Sequence, residues 1–173
     1  SDNNFPKNKY SEIKSNWENY FIDNYKSLSV IARCFAFVGE YLPLNKHFVI
    51  GNFINDVLQN RDIEIKAKSA VFRSYMYSED LVEWLLTMLT TKYEINKYGN
   101  IFNVGSNEFI EIHELAHTIS KIAQKRKLKY QFNRKIIDYY VPDINLAKMT
   151  FGLKIKNTLN DSIMKTLNLH GFR

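Results

Sequence analysis

Cysteine, proline and glycine are scarce in this sequence, with one, three and six occurrences in 173 residues. No low-complexity tract, internal repeat or domain linker is visible, and 45% of the residues are hydrophobic. A single packed domain is therefore expected. The only cysteine, Cys34, excludes an internal disulfide and fits a reducing compartment. Because it lies in an apolar run, we predict that it belongs to the core.

Long hydrophobic runs are also absent. Charged residues interrupt every apolar stretch well short of the roughly 18 residues that a membrane span needs. No basic stretch followed by an apolar one opens the chain, so no signal peptide is visible. These absences predict a soluble, cytoplasmic protein that does not contact a membrane.

Acidic residues are outnumbered: 24 Lys and Arg against 18 Asp and Glu give a formal net charge of +6. Such a surplus favours anionic partners, and the densest basic run is QKRKLK, residues 124–129. No aromatic residues alternate with these cations and no nucleic-acid-binding motif accompanies them. We interpret the run as the basic end of a helix, where cations complement the helix dipole, and expect no nucleic-acid partner.

Hydrophobic periodicity predicts alternating helices and strands, which is typical of an α/β fold. Residues 29–39, SVIARCFAFVG, are apolar at odd and even positions alike, apart from Arg33. This predicts a strand covered on both faces, as in a parallel sheet. The other predicted elements are strands at 63–67, 72–77 and 100–106, and helices at 10–24, at 50–58, after Ser78, around 113–117 and at 159–169.

Capping signals locate the ends of two of these helices. Ser78 is predicted to be an N-cap, and Thr158 with Asp161 forms a pattern typical of a capping box, with Gly171 after the helix end. The buried face of the helix after Ser78 is predicted to carry Leu81, Trp84, Leu85 and Met88.

Residues 113–117, HELAH, match the helix signature of zinc peptidases. His113 and His117 share one helical face, and Glu114 is placed to act as a general base. The apolar residues of the helix form a separate arc, which predicts that both histidines are solvated. A catalytic zinc needs a third protein ligand, and no glutamate follows His117. The remaining candidates are Asp138, Asp143, Asp161 and His170, and a zinc hydrolase stays an alternative.

Four further segments occur in a recognisable order: YSEIK, ARCFAFVGEYLPL, FRSYMYSEDL, and FNVGS followed by FIEIHELA. Together they resemble the C-terminal half of the NAD-dependent nucleotide-sugar epimerase/dehydratase family, the extended short-chain dehydrogenases. The resemblance covers residues 10 to about 151. It implies a Rossmann-like α/β fold that includes the small substrate-binding region, with residues 1–173 as one unit.

In that family the Tyr-x-x-x-Lys pair is catalytic, and the resemblance assigns this role to Tyr10 and Lys14. An ordinary tyrosine, with a pKa of about 10, is a poor base near neutral pH, but a lysine one helical turn away stabilises a phenolate. The pair would exchange a proton with a sugar hydroxyl while hydride passes to or from NAD or NADP. The lysine would also hold the nicotinamide ribose, so both residues count as cofactor-binding.

The resemblance further implies a nucleotide-diphosphate sugar as substrate. An arginine binds phosphate oxygens with two parallel N–H groups, and Arg73 corresponds to the family's phosphate-binding arginine. Arg134 takes the place of a second such arginine. Asn103 would be a polar substrate contact, and His47 and Phe48 would line the nucleotide pocket.

The family's dinucleotide-binding half has no counterpart here. A dinucleotide site needs a strand, a Gly-rich turn and a helix N-terminus, and no such fingerprint occurs in the sequence. The chain is therefore expected to be part of a longer enzyme, inactive and without tight NAD binding by itself, with a role in surface polysaccharide synthesis by family analogy. The alternative is a stand-alone module that binds a nucleotide or another anion.

Dimerisation is a further implication of the resemblance. Members of the family often associate through a bundle that includes the Tyr-x-x-x-Lys helix. A homodimer would then use Trp17, Tyr20 and Phe21 as interface residues.

Overall fold

The computed structural model describes residues 9–25, 28–46, 48–92, 100–124, 127–130 and 137–172. The helices in these ranges are α1 Lys9–Tyr25, α2 Val49–Leu58, α3 Ser78–Thr90, α4 Ile112–Ile122, α5 Asn145–Phe151 and α6 Leu159–Leu169. The strands are β1 Ile31–Cys34, β2 Phe37–Val38, β3 Ile63–Ile65, β4 Ala70–Ser74, β5 Met76–Tyr77, β6 Ile101–Val104, β7 Phe109–Glu111, β8 Leu128–Tyr130 and β9 Ile137–Tyr140.

Strand pairing is mainly parallel. β1 pairs with β6, β2 with β5 and β3 with β8, each in parallel, while β4 lies between parallel β9 and antiparallel β7. Parallel partners need long crossover connections, and these connections contain the helices. The α/β fold predicted from the periodicity is therefore confirmed.

Two hydrophobic clusters hold these elements together. The larger one joins α2, α4 and α6 to β2 and β3, and the smaller one joins α3 and α5 to β6. Trp84 of α3 is fully buried in the smaller cluster, and its indole N–H donates to the Lys154 carbonyl at 3.0 Å. Among the described residues, no helix has both the length and the apolar character needed to cross a bilayer.

Several predicted helices form as expected. Ile50, Phe53, Ile54 and Val57 are the buried stripe of α2. α6 begins after Thr158, whose hydroxyl oxygen accepts from the Asp161 N–H at 3.2 Å and donates to the Asp161 carboxylate at 2.6 Å. The predicted capping pair is therefore confirmed.

The prediction that Cys34 is a core residue is wrong, because its side chain is exposed. Residues 29–39 form two short strands, β1 and β2, rather than one strand covered on both faces. Within the described ranges β1 pairs only with β6, so its other edge has no strand beside it. The apolar pattern of this segment indicated a buried strand, but burial also depends on the neighbouring strand.

Three other local predictions need correction. The N-cap of α3 is Tyr77, in extended conformation, and Ser78 is already helical. Leu85 is exposed, because the buried face of α3 is formed by Trp84 and Met88, which lie one turn apart. The basic run at 124–129 does not end a helix: α4 ends at Ile122, Gln124 has a φ of 60°, and β8 begins at Leu128, whereas residues 125–126 lie outside the described ranges.

Candidate functional site

Tyr10 and Lys14 lie one turn apart on the solvent-facing surface of α1. Tyr10 is 70% exposed, and the Lys14 ammonium nitrogen is 5.7 Å from the centre of its ring. No residue of α1 is buried. The helix is connected to β1 by Arg33, whose guanidinium pairs with both carboxylate oxygens of Glu18, including a 2.9 Å bond from Nε.

Ring contacts lead from the end of β1 to the predicted phosphate-binding arginine. Partial burial raises the pKa of the Cys34 thiol, the last residue of β1, and the positive charge of Lys14 offsets part of that rise. The next residue, Phe35, stacks on Tyr140 with ring centres 4.8 Å apart. The Arg73 guanidinium carbon lies 5.8 Å from the centre of the Tyr140 ring. Phe35 directly follows β1, and Arg73 and Tyr140 lie near the carboxyl ends of β4 and β9. Ligands commonly bind at the carboxyl ends of the strands in α/β sheets.

Arg73 is a partly buried residue of β4 that pairs with Asp138 on β9. Its Nη2 donates to the Asp138 carboxylate at 2.6 Å. Its Nη1 donates to the carbonyl of Phe72 at 2.8 Å and to that of Asp138 at 3.4 Å. The ion pair with Asp138 thus occupies part of the Arg73 guanidinium group, whose N–H groups are the proposed phosphate donors.

Asn103 occupies the third position of β6, opposite Arg33 of β1. Its side-chain amide donates to the Asp143 carbonyl at 2.9 Å, which connects β6 to the loop before α5. Gly105 lets this region pack closely, since a Cβ there would lie 3.1 Å from both Phe35 and Pro142. In this structure Asn103 therefore orders a loop at the sheet edge.

Phe48 precedes α2 and is 40% exposed. Next to it in the chain, Asn45 and Lys46 line a cleft of about 520 Å³ that also includes Asn52 and Lys66. The lining of the cleft carries both charges: Lys46, Arg61 and Lys66 lie beside Asp56 and Glu64, and Arg61 is paired with Asp56. His47 and Arg134 lie outside the described residues.

The HELAH segment has a structural arrangement of its own. Glu111 caps α4 and accepts the backbone N–H of His113 at 2.8 Å and that of Glu114 at 3.3 Å. The Glu111 carboxylate also contacts the ring of His113 at 3.0 Å, and that ring packs edge-on against Tyr130. His117 is exposed as predicted, but His113 is only 13% exposed, because β8 covers it.

These contacts give the HELAH histidines no shared metal-binding geometry. Within the described ranges, no three His, Cys, Asp or Glu side chains are grouped so that they could hold a metal ion.

The sequence pattern does not indicate that Asp138 and Tyr140 are neighbours of Arg73. Both belong to β9, whose parallel pairing with β4 places Tyr140 opposite Arg73. The sequence IDYY does carry β-favouring residues, which could have indicated a strand. The pairing partner, however, lies more than 60 residues away in the chain and could not have been identified from this segment.

The parallel strand pairs, their helical crossovers and the Tyr-x-x-x-Lys motif on α1 are those of a Rossmann-like protein of the short-chain dehydrogenase class. The chain belongs to the NAD dependent epimerase/dehydratase family, whose family model matches residues 5–105. The family assignment made from the four motifs is therefore confirmed.

Curated relatives and solved structures agree with this membership. The chain is 28% identical to the dTDP-D-glucose 4,6-dehydratases of Mus musculus and Homo sapiens, over 97% and 86% of its own length and 50% and 41% of theirs. It thus spans about half the length of the relatives it matches.

Two solved structures share its fold at lower identity. The NAD complex of UDP-glucose 4-epimerase from Thermus thermophilus superposes with a TM-score of 0.78 at 19% identity, covering 96% of this chain and 55% of that one. The NAD complex of dTDP-glucose 4,6-dehydratase from Bacillus anthracis gives 0.79 at 17%, covering 96% and 53%.

Proposed function

We propose that this chain is the C-terminal, substrate-binding part of an NAD(P)-dependent nucleotide-sugar epimerase or dehydratase. The observation that carries the proposal is the position of the family match, residues 5–105, which includes Tyr10, Lys14, Arg73 and Asn103. Surface polysaccharide synthesis is the proposed setting, by analogy with the family.

Tyr10 and Lys14 act together in the proposed reaction. Their solvent-facing positions leave room for a substrate and a cofactor beside α1. Tyr10 removes a proton from a sugar hydroxyl or returns it, with the Lys14 ammonium one helical turn away. The nicotinamide, when bound, supplies or accepts the hydride.

Lys14 is also the proposed contact of the nicotinamide ribose, since its ammonium can donate hydrogen bonds to hydroxyl groups. A pyrophosphate would still require the strand, Gly-rich turn and helix that this sequence does not contain. We therefore propose that residues 1–173 alone do not bind NAD tightly and do not turn over substrate.

Arg73 is the proposed diphosphate contact, and the cleft lined by Lys46 and Lys66 is proposed to take the rest of the nucleotide. The relatives support this substrate class: one solved neighbour is a UDP-glucose 4-epimerase with UDP-glucose from Thermotoga maritima. Asn103 is proposed to contact the sugar directly or through the loop that it orders.

Titration calorimetry with UDP-glucose and dTDP-glucose tests the nucleotide-binding part of the proposal. Arg73→Gln should weaken binding at least about tenfold, because charge-assisted hydrogen bonds to a diphosphate are lost. Lys156→Gln is the charge-matched control, since Lys156 pairs with Glu83 on α3. Equal affinity in all three proteins would contradict the role of Arg73.

The catalytic part is tested by sequencing the coding region upstream of Ser1 and expressing any longer reading frame. A longer product with a Gly-rich turn should bind NAD and convert a nucleotide sugar, and Tyr10→Phe should abolish most conversion. A stop codon immediately upstream would instead favour a stand-alone nucleotide or anion-binding module, which the polar cleft at Lys46 and Lys66 could serve.

We further propose that the longer enzyme to which this chain would belong forms a homodimer through α1. Trp17, Tyr20 and Phe21 are all at least 40% exposed, and their rings pack against one another on one side of the helix. An apolar surface of this kind is typical of a protein interface. Because other segments of a longer enzyme would also cover this surface, the dimer test uses the longest protein that the gene encodes.

A further inference from the structure

We propose that Asp138 competes with the substrate diphosphate for Arg73 and thereby lowers the affinity of the phosphate site. This inference rests on the proposed function, in which Arg73 receives the diphosphate. It goes further by assigning Asp138 a role in tuning ligand affinity.

The pairing of β4 with β9 fixes this contact. Val71 is opposite Asp138 and Arg73 is opposite Tyr140, two positions further along both strands. Side chains two residues apart in a strand point to the same face, so Asp138 and Arg73 are diagonal neighbours on one side of the sheet. The 2.6 Å bond from Arg73 Nη2 to the carboxylate follows from this register.

The two partners are unequally fixed. The side chain of Arg73 is 26% exposed, and its guanidinium is held by the Phe72 carbonyl and lies near the Tyr140 ring. The side chain of Asp138 is 53% exposed. The Asp138 carboxylate can therefore rotate towards solvent at little cost in free energy while the guanidinium stays in place, since exposed ion pairs contribute little to stability.

A phosphate oxygen and a carboxylate oxygen accept hydrogen bonds from the same N–H groups of a guanidinium. Both are anions, so a diphosphate that reaches Arg73 must displace Asp138 or bind beside a like charge. Either event opposes binding of the anionic part of the ligand and leaves its uncharged part unaffected. Asp138 therefore weakens diphosphate binding selectively.

The test compares three probes, UDP, inorganic pyrophosphate and uridine, by calorimetry on the chain itself. Asp138→Asn should tighten binding of UDP and of pyrophosphate on the order of three- to tenfold, because like-charge repulsion is removed and the competing bond to Arg73 is no longer charge-assisted on both sides. Uridine affinity should not change. Asp138→Ser serves as a second variant, and a thermal melt of each protein checks that it is folded.

Glu83→Gln is the matched control. It removes one negative charge from another exposed ion pair, that with Lys156 at 2.6 Å, without touching Arg73. A gain in UDP affinity as large in Glu83→Gln as in Asp138→Asn would show a general charge effect and overturn the competition. Unchanged or weaker UDP binding in both Asp138 variants would overturn it too.

Arg73→Gln separates this inference from the proposed function. If UDP binding depends on Arg73 while the Asp138 variants match the unmodified chain, only the competition fails. If UDP binding is absent, or is the same with and without Arg73, the phosphate role of Arg73 fails and the competition fails with it.

Discussion

Phe35 and Tyr140 stack with their ring centres 4.8 Å apart and an interplanar angle of 30°. The pair joins the residue that follows β1 to β9, the strand that carries Asp138. Stacked rings pack rigidly and are worth about 1 kcal/mol beyond the area that they bury. The stack therefore links the end of β1, where Arg33 pairs with Glu18 of α1, to the strand beside the proposed phosphate site.

Tyr10→Phe, introduced into the longest protein that the gene encodes, should lower kcat by a factor of about 10² to 10⁴, because the proton-transfer group is lost. Binding of the nucleotide sugar should change little, since the diphosphate contact is elsewhere. Steady-state kinetics and calorimetry together measure this split. Tyr20→Phe removes a hydroxyl from the same helix and should keep full activity, whereas equal losses in both variants would contradict the assignment of Tyr10.

Asp80→Ala should lower the free energy of unfolding by about 3 kcal/mol, because buried donors lose their acceptor. The Asp80 carboxylate is 2% exposed and accepts the backbone N–H groups of Lys156 and Asn157 and the side-chain amide of Asn157. Urea denaturation measures the change. Glu79→Ala, at the neighbouring exposed position, should cost under about 1 kcal/mol. Similar losses at both sites would show that Asp80 does not hold the loop before α6.

Gly39→Ala should destabilise the protein by about 1 to 3 kcal/mol through overpacking. A Cβ on Gly39 would lie 2.2 Å from the Ser78 hydroxyl oxygen and 2.7 Å from the Ser78 Cβ. Introducing the same change into a Ser78→Gly background removes both contacts, so the cost there should be much smaller. A double-mutant cycle measured by urea denaturation gives this coupling. Additive effects would show that the close approach of β2 to α3 is not the cause.

The sequence predicted the parts of the fold that depend on local patterns. The stripe of Ile50 and Phe53 and the cap at Thr158 need only nearby residues, and both are confirmed. The exposure of Cys34 depends on what lies beside β1, which its own pattern does not contain. The contact of Arg73 with Asp138 depends on the β4–β9 register across 65 residues, so spacing alone could not indicate it.

Glu111 should make stability depend on pH. Burial raises the pKa of its carboxyl group, but hydrogen bonds from the His113 side chain and backbone outweigh this and leave the pKa below its ordinary value of 4.5. A carboxyl whose pKa is lower in the folded than in the unfolded state stabilises above the unfolded pKa, and this stabilisation is lost as pH falls through the folded pKa. The charge of Glu111 is therefore stabilising near neutral pH.

Glu111→Gln isolates this charge, because glutamine keeps a cap acceptor. Near pH 7 the variant should be less stable by about 0.5 to 1 kcal/mol, and the difference should vanish as pH falls below 4.5. Urea denaturation at a series of pH values measures both curves. A constant difference down to strongly acidic pH would contradict the assigned role of the ionised cap.

Trp17→Lys should abolish self-association if α1 forms the homodimer interface. The variant places a charge among rings that pack on one side of the helix, and Tyr20 and Phe21 would then lose their apolar partner. Sedimentation velocity of the longest natural product at increasing concentration measures association. Leu89→Lys makes the same apolar-to-charged change at a 79% exposed position of α3 and should leave the dimer intact. A monomer before any substitution, or equal loss in both variants, would mean that the aromatic side of α1 is covered by something other than a second copy.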